Sequence, residues 1–114
     1  MSKPKTKLES AFQHETIEEI KQLLPGCLVQ KLDSSYQQGI PDWLILWRWH
    51  WGVLEFKRKR PTSPSDFEPN QEYFVELCAN MSFGAVIYPE NKDEVLDALQ
   101  QAFRSRRSTR ATER

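Results

Sequence analysis

A layered α/β fold with the element order αβββαβα is what this sequence predicts, and three observations predict it. Apolar residues recur at helical spacing in three separate segments, near the start, the middle and the end of the chain. Between them lie short runs rich in β-branched and aromatic residues, bounded by Pro, Gly, Asn and Ser. One of these runs, FGAVIY at 83–88, is almost continuously apolar, the pattern of a strand covered on both faces. Alternation of helical and extended segments gives a sheet layered with helices rather than a bundle or a barrel.

Taken in order, Leu8, Phe12, Ile20, Leu23 and Leu24 define a first helix over 7–24, which Pro25-Gly26 stops. CLVQKL, 27–32, is a short strand, and DSSYQQGIP, 33–41, is a loop. DWLILW, 42–47, and WGVLEFK, 51–57, form a hairpin through a tight Arg48-Trp49-His50 connection. RPTSPSDFEP, 60–69, carries three prolines and is read as a loop. NQEYFVELCANM, 70–81, has Tyr73, Phe74, Leu77, Cys78 and Met81 at helical spacing and forms the second helix. Pro89 and Asn91 lead into a third, with Val95, Leu96, Leu99 and Phe103 on one side. The sequence is read as a single domain over 1–104, followed by a basic tail at 105–114 that is expected to be disordered.

Hydrophobic residues make up 39% of the 114, enough for a core, but no apolar run approaches bilayer length. The opening MSKPKTKLES has no signal-peptide character, so the expected location is cytoplasmic, including the host cytoplasm if the gene is phage-borne. Cys27 and Cys78 lie in apolar surroundings without metal-ligand spacing and are read as reduced core residues. The net charge is +0, yet basic residues cluster at 3–7, 57–60 and 104–110 and acids at 15–19, 66–76 and 90–97. That segregation fits either a basic face for a phosphate backbone or merely solvated tails and a loop.

Two carboxylates and a lysine interrupt the hairpin. Asp42 opens one strand and Glu55 lies near the end of its partner, so antiparallel pairing makes them neighbours. Lys57 shares a strand face with Glu55, whereas Phe56 points the other way. Two ionised acids, close and half-buried, cost several kcal/mol in repulsion and lost hydration. A hard divalent cation removes that cost, because magnesium takes one or two carboxylates and keeps open positions for a substrate. Around the first helix, advancing 100° per residue, Glu9 falls inside the apolar arc, Glu15 and Glu18 fall outside it and Glu19 at its margin. An acid on a core-facing side needs a partner, and the same metal site is an economical one; the helix dipole at the helix start is the alternative.

The arrangement Gly39-Ile40-Pro41-Asp42 followed by Glu55-Phe56-Lys57 resembles the signature of PD-(D/E)XK nucleases, and the element order resembles their αβββαβ core with an added C-terminal helix. Within that superfamily, "GIPD…LEFK…PNQEYFVELCANMSFGAVI" is similar to small stand-alone VRR-type nucleases, many of them phage-encoded, and more distantly to Holliday junction resolvases. The resemblance covers about residues 7–103. It implies that Asp42 and Glu55, with the Phe56 carbonyl and Glu9, bind Mg²⁺ or Mn²⁺. It further implies that Lys57 serves the nucleophile or the scissile phosphate and that Gln71 supports the site. The expectation is a metal-dependent endonuclease, a homodimer acting on branched DNA. Flaps, ends, RNA and a non-catalytic DNA-binding module are the alternatives. Lys31, Ser34, Ser35, Arg58, Lys59, Arg60, Arg106 and Arg107 are candidate phosphate contacts, although turn chemistry explains the serines equally well. His14 and His50 are read as surface residues, and Trp43, Trp47, Trp49 and Trp51 as core or a subunit interface.

Overall fold

Breakers and periodicity set the elements close to their expected places. The computed structural model describes residues 7–33 and 35–105, with Lys7 and Leu8 described by their backbone alone. The first helix, α1, is Lys7–Leu23; three strands follow, β1 at Leu28–Lys31, β2 at Trp43–Trp47 and β3 at His50–Phe56. Helix α2, Gln71–Met81, precedes β4, Gly84–Ile87, and α3, Lys92–Arg104, closes the described chain. The proline-rich 60–69 loop contains a single 3-10 turn at Pro64–Asp66, and a second at Pro89–Asn91 feeds α3. The expected tail at 105–114 lies outside the described residues from 106 onward.

The sheet order is β1-β2-β3-β4, antiparallel except for the parallel β3–β4 pair, which α2 connects. The expected hairpin forms with Trp47 opposite His50, leaving Arg48 and Trp49 as a two-residue turn in which Arg48 has φ 58°. Pairing fixes the faces. Val29, Ile45, Trp43, Leu54, Phe56 and Ile87 share one face with the apolar sides of α1 and α3, and there Ile17, Ile20, Leu24, Leu96, Leu99 and Phe103 complete the core. Phe12 of α1 meets Phe56 edge-on at 5.7 Å. Lys92 ties the two helices by donating to Glu19 at 2.9 Å, and this bond raises the lysine's pKa.

The opposite face carries Leu28, Gln30, Leu44, Leu46, Trp51, Val53 and Glu55, and α2 covers only the β3–β4 half of it. At Gly84 a Cβ would lie 2.6 Å from the Val75 carbonyl, so glycine lets α2 pack directly on the strand. β4 departs from its expected double burial. It is an edge strand in which Ile87 is buried and Gly84, Ala85 and Val86 are half-exposed, because among the described residues no strand pairs beyond it.

The tryptophans of the hairpin divide between core and surface. Trp43 and Trp47 turn to the core face, donating their indole N–H groups to Gln13 Oε1 at 3.0 Å and the Pro25 carbonyl at 2.8 Å. Trp49 remains 81% exposed at the turn, and Trp51 lies on the outer face beside Leu46 and Leu28. His50 is not the surface residue expected: its ring stacks on Phe103 at 5.5 Å, and both ring nitrogens are buried. The hairpin turn and the carboxylates sit at opposite ends of β2 and β3, about 15 Å apart at 3.4 Å per residue. Cys27 and Cys78 are free and half-buried, and burial pushes both thiols up.

Candidate active site

Strand register brings the first two acids together. Trp43 pairs with Leu54, so Asp42 faces Glu55 one step beyond the regular ladder. There the Asp42 Oδ2 accepts the Phe56 N–H at 2.8 Å, taking the role a backbone carbonyl would play in a longer β2. Because N–H and C=O of one strand residue point to the same edge, the Phe56 carbonyl is directed to the Asp42 side as well. Lys57, next along, donates its N–H to the Ile87 carbonyl and turns its side chain back to the Glu55 face.

Glu55 is 2% exposed, and its Oε2 lies 3.6 Å from Lys57 Nζ. The same ammonium donates to Gln71 Oε1 at 3.0 Å and stands 5.0 Å from the Phe67 ring centre. Gln71, buried at the first position of α2, accepts the Glu68 N–H through the same oxygen at 3.0 Å. The lysine is thereby held on three sides, with 18% of its side chain open to solvent. Phe67 carries no sequence signal for this role, since a phenylalanine in a prolyl loop reads as a local anchor.

Gly39 of the Gly-x-Pro-Asp turn joins these parts. It has φ +90°, and a Cβ there would stand 2.6 Å from Asn70 Cβ and 2.7 Å from the Pro69 carbonyl. Only glycine lets the loop before Asp42 close on the turn that starts α2, which sets Asp42 and Gln71 on either side of Glu55.

The acidic set is expected to include Glu9, which stands in the first turn of α1. Among the described residues no three His, Cys, Asp or Glu side chains are disposed to hold a metal ion. α1 lies over the Trp43–Phe56 face, whereas Glu55 and Lys57 project from the other. Glu9 is half-buried, in line along α1 with the buried Gln13, Thr16 and Ile20, while Glu15 and Glu18 face solvent. Sequence reasoning missed Gln13 and Thr16, polar residues on a buried helical face whose Nε2 and Oγ1 atoms find no hydrogen-bond partner among the described residues.

Of the candidate phosphate contacts, Arg58, Lys59 and Arg60 are exposed directly after Lys57. Lys31, at the end of β1, lies 5.3 Å over the Trp43 ring, beside the start of β2. Ser35 donates its N–H and hydroxyl to Asp33, at 2.9 and 2.6 Å, so turn chemistry occupies it, and these bonds lower the Asp33 pKa. Ser34, Arg106 and Arg107 lie outside the described residues.

The fold is similar to a solved structure described as a VRR_NUC domain, with a TM-score of 0.61 and 25% sequence identity, covering 81% of this chain and 97% of that one. No protein-family model matches the sequence, and no curated protein does. The chain has a VRR_NUC-like nuclease fold of the PD-(D/E)XK type, and the likeness supports a nuclease family generally. No helix among the described residues is long and apolar enough to cross a membrane.

Proposed function

We propose that this chain is a divalent-metal-dependent endodeoxyribonuclease that hydrolyses phosphodiester bonds as a homodimer on branched DNA. The observation that carries this reading is the Lys57 ammonium held between Glu55 and Gln71 beside Asp42. The donor set suits a hard cation: two carboxylates on adjacent strand ends, with the Phe56 carbonyl directed to the same edge. Asp42, Glu55 and the Phe56 carbonyl would hold Mg²⁺ or Mn²⁺, which supplies Lewis acidity towards a phosphate when bound.

The chain's own groups supply the rest. Lys57, its rotamer fixed by Gln71 and Phe67, presents a positive charge where a phosphate gains negative charge in the transition state, and it orients the attacking water by hydrogen bonding. Gln71 acts through Lys57, keeping the ammonium from collapsing fully onto Glu55. Arg58, Lys59 and Arg60 extend positive charge along the backbone of the DNA, giving salt-sensitive and sequence-tolerant binding.

A junction cut symmetrically needs two sites related by a twofold axis. The uncovered strip formed by Leu28, 58% exposed, Leu46, 37% exposed, and Trp51 supports a second copy on that face. Four-way, flapped and linear DNA, each incubated with magnesium or EDTA, tests the reading, with light scattering for assembly. Cutting of junctions ahead of linear duplex by a dimer, abolished by EDTA, is expected. Binding without cutting under any metal would identify a DNA-binding module instead, and a monomer that cuts linear duplex as fast as junctions would remove the branched-DNA reading.

A further inference from the structure

Beside Phe67, whose ring Lys57 Nζ approaches to 5.0 Å, an open cleft of about 410 Å³ is lined by Arg60, Thr62, Phe67, Glu72, Val86 and Tyr88. We propose that this cleft takes one unpaired nucleobase of the substrate strand, a base bearing an exocyclic amino group, next to the phosphate at Lys57. The inference rests on the nuclease reading above and names a feature of the DNA that reading leaves open.

Three properties of the cleft carry it. Its volume lies in the range of small-ligand sites. Its walls include two half-buried aromatic rings, Phe67 from the prolyl loop and Tyr88 from the end of β4, which offer stacking to any flat ring. A stacked duplex has no free base face to give them, so the ring that enters is an unpaired one. Its polar groups are unlike those of a phosphate site: Glu72 would repel an anion, yet its carboxylate accepts from an amino edge such as that of cytosine, and exposed Arg60 meets the backbone phosphate of the same nucleotide.

The wall is also fixed in advance. Asp66 Oδ2 accepts the N–H groups of Thr62 and Ser63 at 2.8 and 3.2 Å, and Pro61, Pro64 and Pro69 stiffen the segment. Little ordering is then left for binding. Phe67 connects the two places: one ring lines the cleft and contacts the Lys57 ammonium, so a base stacked on it stands one ring from the catalytic lysine.

The test uses the full chain and flapped DNA carrying 2-aminopurine at successive positions of the single-stranded arm. Fluorescence is read in EDTA, with anisotropy of the same DNA as the binding control, and cutting is read in magnesium. One position is expected to change its emission at least twofold, and Tyr88→Leu to remove that change and weaken binding about tenfold, as loss of one stacked base does. Because Tyr88 is half-buried, surface variants accompany it: Arg60→Ala should weaken binding severalfold, and Glu72→Gln should abolish a preference for oligo(dC) over oligo(dT) competitor. A flat signal at every position of bound DNA, or a signal unchanged in Tyr88→Leu, overturns the cleft. No cutting in magnesium with an intact, Tyr88-dependent signal overturns the nuclease reading and sustains the cleft.

Discussion

The carboxylate of Asp42 accepts the backbone N–H of Phe56 at 2.8 Å, so one residue both closes the end of the β2–β3 ladder and faces Glu55. These two roles separate by substitution. Asp42→Asn keeps an acceptor for Phe56 and loses the charge, so it is expected to fold as stably as the parent and to lose turnover. Asp42→Ala leaves a part-buried N–H unpaired and is expected to cost about 1–3 kcal/mol as well. Urea unfolding of the two variants beside a cleavage assay checks this; equal stability of both would mean the hydrogen bond contributes nothing.

Glu55→Gln and Lys57→Ala are each expected to abolish cutting with the fold retained. Removing the charge of buried Glu55 beside half-buried Asp42 lowers repulsion and desolvation, so Glu55→Gln should melt no lower than the parent in EDTA. Magnesium should raise the parent's melting temperature by mass action and leave Glu55→Gln unmoved. Calcium should support binding without cutting. A magnesium shift that survives in Glu55→Gln would take that carboxylate out of the metal site.

Glu9→Gln is expected to lower activity far more than Glu15→Gln or Glu18→Gln. Glu9 is half-buried on the side of α1 that carries Gln13 and Thr16, whereas the other two face solvent. Equal rates for the three variants would show that Glu9 serves only the helix start.

Gly39→Ala is expected to destabilise by about 1–3 kcal/mol through its left-handed φ alone, with more from the overlap with Asn70 and Pro69. Activity should fall with it, since the contact sets Asp42 relative to Gln71. Wild-type denaturation and turnover would mean that the loop moves aside at no cost.

Lys92→Met is expected to cost about 0.2–1 kcal/mol at neutral pH, the range of a partly exposed ion pair. The folded-state pKa is raised by Glu19, so the stabilisation is fully present below the ordinary lysine value and fades as pH rises through the folded one. The gap between variant and parent should close at strongly alkaline pH; a gap that persists unchanged there would assign the loss to packing.

The sequence by itself determined the elements and the chemistry of the site's strands. Helical spacing, Pro25-Gly26 and the tight connection at 48–50 are local signals, so the order αβββαβα and the neighbourhood of Asp42 and Glu55 followed without tertiary information. Gln71 was legible only through the resemblance, because a glutamine opening a helix has no local reason to be buried. What the tertiary structure decided is which face each element covers. The helical projection placed Glu9 inward correctly but could not say which side of the sheet α1 would take, and α1 lies over Phe56 rather than Glu55. Likewise, Trp47 and Trp51 look alike in the sequence, yet strand register sends one under Arg104 and the other outward beside Leu46. The cleft that Phe67 lines with Val86 and Tyr88 joins residues about twenty positions apart, which no local period encodes.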